Sequence, residues 1–158
     1  MFIICSETGE RIEAIIEHVF PADYKIIKTS KRFPDFVWDK EKTHEVVKIR
    51  AKDPVEILGL MSLIDFSAEM SIKINLLQTS AENVGHNKKY ERIAGCLIAY
   101  ACKQAFIRGY DGTVALEPKT ELARHYMEKY GMQIGGKHLY TELANSEHLI
   151  REYLNHES

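Results

Sequence analysis

The spacing of apolar positions changes partway along this chain of 158 residues. In residues 10–20, Ile12, Ile15, Ile16 and Val19 recur at helical spacing, and Pro21 predicts the stop. Residues 24–28, with Tyr24, Ile26 and Ile27 apolar, predict a short strand. The aromatic stretch 33–38, interrupted by Pro34, predicts an extended edge. Residues 45–50 (EVVKIR) alternate as a strand. The runs 56–64 (EILGLMSLI) and 71–79 (SIKINLLQT), joined by 65–70, predict antiparallel hairpins.

The period shifts at Asn83. A polar run, NVGHNKKY, precedes ERIAGCLIAYACKQAFIRGYDG, in which Ala94, Leu97, Ile98, Ala101 and Ala105 share one helical face. Ile93 and Tyr100 widen it into a stripe suited to a helix lying on a sheet. Gly109 and Asp111-Gly112 predict its end. A strand follows at 113–116, a turn at 118–120 and a helix at 121–130 closed by Gly131. After Gly135-Gly136 come a strand at 138–142 and a polar helix at 146–154. The order predicts an α/β (α+β) fold, a mixed and mostly antiparallel sheet flanked by helices. No repeat or linker divides the chain, so a single domain spanning 1–158 is expected.

Composition narrows the classes of function. Lys plus Arg (21) against Asp plus Glu (23) leaves a net charge of −2, so no nucleic-acid partner is expected. No apolar run reaches the ~20 residues of a membrane helix, and the N-terminus lacks a basic n-region, so the expected location is cytoplasmic and off the membrane. Cys5, Cys96 and Cys102 form no CxxC pair and read as small hydrophobes. Nothing has metal-ligand spacing, so no metal is expected.

The candidate chemistry lies in residues 83–95. A loop that leaves a strand and opens a helix presents unpaired amides at the positive end of the helix dipole, and such a terminus suits an anion. Gly85 permits an unusual dihedral or a close ligand. His86, Lys88, Lys89 and Arg92 add positive charge, with Lys89 and Arg92 suited to a diphosphate. The plainer reading is that Lys88 and Lys89 solubilise a helix start.

The sequence of strand, basic glycine-bearing loop, alanine-rich helix, short strand and a helix ending EKYGM resembles the GNAT superfamily of CoA-dependent N-acetyltransferases. That family's Arg/Gln-x-x-Gly-x-Gly/Ala signature aligns with Lys89-Tyr90-Glu91-Arg92-Ile93-Ala94, followed by Gly95 and Leu97-Ile98. Lys89 replaces Arg/Gln, and Arg92 replaces the middle Gly. Downstream, Thr120 takes the place of the family's helix-opening Asn, and residues 123–132 (ARHYMEKYGM) match its Ala-x-x-Phe-Tyr-x-Lys-x-Gly-Phe. The resemblance covers roughly 56–142.

The resemblance implies the GNAT-like acyl-CoA N-acyltransferase fold, acetyl-CoA as co-substrate and an amine as acceptor. Its pyrophosphate and pantetheine contacts would fall on Leu77, Gln78, Thr79, Gly85, Lys89, Tyr90, Arg92, Ile93, Ala94, Gly95 and Thr120. The family's general-acid Tyr falls on Met127. Tyr126, about 100° away around the helix, is the candidate acid here or else packs in the core. Glu82 and Glu117 are candidate bases or merely solvated carboxylates, and Tyr130, Tyr140, His86 and His125 are weaker substitutes. Phe33, Phe36 and Trp38, beside Asp35 and Asp39, are able to line a cationic pocket; capping the core or forming a contact in a homodimer is the plainer role. The alternative to an enzyme is a catalytically inactive CoA-binding or protein-interaction domain of the same fold.

Overall fold

Branched side chains decide the N-terminal half, because a branched Cβ is restricted in a helix and packs well on a pleat. The computed structural model describes residues 1–118 and 120–154, with the side chains of 120 and 121 outside the description. In it the apolar start forms β1 (Phe2–Cys5), and the stretch expected as a helix forms β2 (Arg11–His18). The two pair antiparallel, with Ile3 opposite Ile12. The spacing of Ile12, Ile15 and Ile16 fits either period, and pairing with strands on both sides settles it.

Pro21 begins a helix rather than ending one: α1 spans Pro21–Ser30, replacing the strand expected at 24–28. Proline suits a first helical position because its missing N–H is not needed there. The Asp23 carboxylate accepts the Phe20 N–H at 2.8 Å, closing the helix start. Residues 33–38 are turns running into a 3-10 helix at Trp38–Glu41, not an extended edge.

The remaining elements are β3 (Glu45–Ala51), β4 (Glu56–Phe66), β5 (Ser71–Thr79), β6 (Tyr90–Glu91), α2 (Ile93–Ile107), β7 (Val114–Leu116), α3 (Thr120–Tyr130), β8 (Gln133–Gly135), β9 (His138–Thr141) and α4 (Leu143–Tyr153); the short strands β6 and β8 were not expected, and the others follow the expected order. The fold class is the expected mixed α/β one.

Two units divide the chain, and β4, β5 and α2 contribute residues to each. The first unit holds Met1–Ser62 and Leu76–Leu97. Its strands neighbour one another in the order β6-β1-β2-β3-β4. Val47, Ile49, Leu58, Leu60, Ile93 and Leu97 are buried in it. Gly59 lets α2 lie against β4, since a Cβ there would sit 2.8 Å from Ile93 Cγ2 and 2.9 Å from Ile49 Cγ2. Lys48, buried on β3, is neutralised by Asp23 at 2.7 Å and Glu17 at 3.5 Å.

The second unit holds Leu63–Asn75 and Ile98–Ser158. There β7 runs parallel to β5 over Ile72–Ile74 and antiparallel to β9, with β8 at the edge. Ile98, Ala101 and Ala105 bury the expected stripe of α2. The Ser146 hydroxyl donates to the Gly112 carbonyl at 2.7 Å, and Asn145 Nδ2 donates to the Tyr130 carbonyl at 2.9 Å, tying α4 to the preceding turns. Among the described residues no helix is long and apolar enough to cross a membrane.

Candidate acyl-CoA site

The loop after β5 is held by one buried amide side chain. Asn83 Oδ1 accepts the Tyr90 N–H at 2.8 Å while its Nδ2 donates to Ser80 Oγ at 2.8 Å. Lys89 donates its N–H to the Glu82 carbonyl at 3.1 Å and accepts from the Ser6 N–H at 2.9 Å. These bonds fix Tyr90 in β6, against Cys5 of β1. Gly85 sits at the exposed tip with φ +85°, and a Cβ added there would meet nothing within 4 Å. It serves the turn and leaves open space beside it.

Arg92 occupies the position of the signature's middle glycine, and its φ is +82°, a conformation that favours glycine. Its carbonyl accepts the Cys96 N–H at 2.9 Å, the first bond of α2. The amides of Ile93, Ala94 and Gly95 therefore precede the helical ladder, at the positive end of its dipole. The Arg92 guanidinium packs over the Phe2 ring at 4.2 Å, and its Nε donates to the Phe2 carbonyl at 3.2 Å. Its side chain thus braces β1, while Lys89, exposed with its ammonium 5.4 Å from the Tyr90 ring, stays at the loop surface.

Strand β5 outlasts its parallel neighbour. Pairing with β7 ends at Ile74 opposite Leu116, and β5 continues to Thr79. In that extension Leu77 and Thr79 are half-buried. Gln78 is buried and accepts a hydrogen bond from Trp38 Nε1 at 2.9 Å. The Leu76 N–H is taken by Ser62 Oγ at 3.1 Å, and that hydroxyl donates to the buried Glu41 carboxylate at 2.6 Å. Sequence reading missed Ser62 and Glu41; the one signal was a serine inside the apolar run EILGLMSLI.

On α3, Tyr126 is half-buried, with its ring 5.9 Å from His125 and 5.9 Å from Tyr130. Burial pushes its phenol above the ordinary tyrosine value, which keeps it protonated and able to donate. Met127 is exposed, and Tyr130 is buried in the core. The backbone of Thr120 opens α3, while its side chain lies outside the described residues.

The two candidate bases are both engaged. Burial works to raise Glu82, but hydrogen bonds from Arg32, its own backbone and Ser80 leave it below the usual carboxylate value. Arg32 Nε reaches Glu82 Oε1 at 3.1 Å and its Nη2 also pairs with Glu56 at 3.3 Å. Exposed Glu117 is lowered chiefly by a hydrogen bond from Lys137, 3.4 Å away, and His138 lies at 3.8 Å. Tyr140 donates its hydroxyl to Gln133 at 2.9 Å. Burial pushes the thiols of Cys96 to about 12 and Cys102 to about 11, so neither is a thiolate nucleophile at neutral pH.

No family model matches this sequence, and no curated protein matches it at the sequence level. The fold is that of the GNAT acetyltransferases. A spermidine N-acetyltransferase SpeG variant from Vibrio cholerae superposes with a TM-score of 0.63 at 16% identity, covering 88% of this chain and 98% of that one. AtaTR bound with AcCoA gives 0.58 at 17% identity over 87% and 98%. A GNAT family acetyltransferase from Brucella melitensis in complex with acetyl-CoA gives 0.56 at 14% over 82% and 88%. AtaT complexed with acetyl-methionyl-tRNAfMet is also similar in structure, with a TM-score of 0.56 at 13% identity over 87% and 99%, so the fold leaves the acceptor class open.

Proposed function

We propose that the protein is an acyl-CoA-dependent N-acyltransferase that moves an acetyl group from acetyl-CoA to an amine. The observation that carries this reading is the left-handed backbone of Arg92. The chain departs from the family's glycine in side chain but keeps a glycine-like turn at that place, directly before the amides of Ile93, Ala94 and Gly95. Those amides and Lys89 hold the pyrophosphate. Gly85 gives the loop its turn, and Tyr90 anchors it in β6. The Leu77–Gln78–Thr79 backbone, beyond the reach of β7, pairs with the pantetheine arm and polarises the thioester carbonyl.

In the reaction the amine nitrogen attacks the thioester carbon, and the tetrahedral intermediate collapses to an amide and a CoA thiolate. Tyr126 gives its proton to that thiolate. A carboxylate, Glu82 or Glu117, takes the ammonium proton through water. Both are held charged by basic neighbours, which makes them weak bases and favours a relay over direct contact. Release of free thiol from acetyl-CoA across a panel of amines tests the reading: turnover with any of them supports it. Binding of acetyl-CoA with no turnover would favour a CoA-binding domain without catalysis, a reading to which exposed Met127, at the family's tyrosine position, lends weight.

A further inference from the structure

The aromatic stretch after α1 does two things at once. Phe33 and Trp38 are buried in a core cluster with Ile27, Val46, Ile57 and Leu60, against which Phe36 and Leu76 pack. Their other sides, with Tyr24 and Phe36, line a cavity of about 440 Å³. Trp38 and Phe36 meet edge to face at 6.1 Å, which stiffens the wall. The floor is tied to β5 twice, through the Trp38–Gln78 hydrogen bond and through Leu76. Trp38, one wall of this cavity, is thereby joined to the strand segment given above to the thioester.

Charge at the cavity points to the ligand's chemistry. The Tyr24 hydroxyl has its pKa raised by burial first and then by the charges of Asp39, Glu41 and Asp23. Each is already engaged: Asp39 by Lys42 at 3.2 Å, Asp23 by Lys48 at 2.7 Å, and Glu41 by the Ser62 hydroxyl at 2.6 Å. Lys28, one turn after Tyr24 on α1, and Lys31, just past the end of that helix, are both exposed and line the cavity as well. The rim thus offers positive charge to a ligand, and the interior offers aromatic surface.

We propose that this cavity binds the acceptor, and that the acceptor is an α-amino acid with a bulky apolar side chain; the acceptor role rests on the acetyl-transfer reading above. The side chain fills the aromatic cavity, the carboxylate meets Lys28 and Lys31, and the amine stands on the Trp38 side, the side tied to β5. A linear polyamine fits poorly, because it has no apolar body for the rings and two ammonium groups stand at the rim.

Trp38 is the single tryptophan of the chain, so its fluorescence reports on the cavity without requiring catalysis. Titration with L-phenylalanine, excited where only tryptophan absorbs, is expected to give a saturable change. Phenethylamine, which lacks the carboxylate, is expected to bind at least ten-fold more weakly, and spermidine to give no saturable change. In a Lys28→Glu/Lys31→Glu variant the preference for L-phenylalanine should disappear; both side chains are exposed, and unchanged circular dichroism would show that the fold is kept. Equal binding of phenethylamine, saturation by spermidine, or no response to L-phenylalanine would overturn the proposal. Acetyl-CoA binding measured separately distinguishes the two failures: a Trp38 response without acetyl-CoA binding sinks acetyl transfer, and the reverse sinks the amino-acid pocket.

Discussion

The turn into α2 and the face of α3 each depart from the GNAT pattern at a position that matters, Arg92 and Met127, with different consequences. At the first, Arg92 replaces a glycine, yet the backbone keeps φ at +82° and the helix amides stay in place. At the second, Met127 stands where a tyrosine is usual, and the phenol proposed to act in its place, Tyr126, is one residue earlier and half-buried. A site built from backbone groups tolerates a change of side chain if the conformation survives. A site built from a hydroxyl does not, because the proton donor itself is moved. On the proposed acetyl-transfer reading, cofactor binding should therefore be robust in this chain, and catalysis should hang on Tyr126.

The largest expected effect comes from disturbing the seat of α2. Gly59→Val puts branched carbon where Ile93 and Ile49 already lie within 3 Å of a Cβ, and should cost about 2–3 kcal/mol, read as a lower urea midpoint. It should weaken acetyl-CoA binding as well, since Ile93 is displaced.

On α3 the effect should be kinetic. Tyr126→Phe is expected to lower kcat about 100-fold with little change in acetyl-CoA affinity or melting temperature. Because burial raises this phenol above its ordinary value of 10.0, the wild-type kcat should hold through that pH and lose its acid only above it. Undiminished turnover in Tyr126→Phe would return Tyr126 to the core.

A smaller effect separates conformation from side chain at the turn. Arg92→Ala and Arg92→Gly both lose the contact with Phe2, but only alanine must still be forced to a positive φ. The glycine variant should be the more stable by about 1 kcal/mol in chemical denaturation, and its acetyl-CoA affinity should be kept. Equal stabilities would mean that the turn does not require this φ.

Smallest is the Glu82–Arg32 pair, whose side chains are 33% and 26% exposed. Glu82→Gln should cost under about 1 kcal/mol at neutral pH. The carboxylate's folded pKa lies below its ordinary value of 4.5, so its contribution is present above that pH and lost as the pH falls through the folded pKa. The stabilities of wild type and Glu82→Gln should therefore converge on acidification.

Much of the second half was legible in the sequence, because its helices carry a 3.6-residue stripe and end at glycines such as Gly109 and Gly131. The resemblance at Lys89, Arg92 and Ala94 pointed to a helix start, and α2 does begin at Ile93. The strands at 45–50, 56–64 and 71–79 were legible too, but the stretch before them misled. Ile12, Ile15 and Ile16 fit a helix face as well as a paired strand, and Pro21 is as good a first helical residue as a stop. Local pattern does not choose between these; the partner strands β1 and β3 do. The contacts that shape the β5 extension were hidden for a related reason: Glu41 and Ser62 are 21 residues apart, and Trp38 and Gln78 are 40 apart. No periodicity links residues so separated.

The central claim is that the start of α2 holds the pyrophosphate of acetyl-CoA. Titration calorimetry of acetyl-CoA into the wild-type protein and into Lys89→Glu tests it most directly. The account predicts one-site binding by the wild type and roughly ten-fold weaker binding by the variant, about 1.4 kcal/mol, with the fold unchanged. An absence of binding by the wild type, or equal affinity in Lys89→Glu, would contradict it.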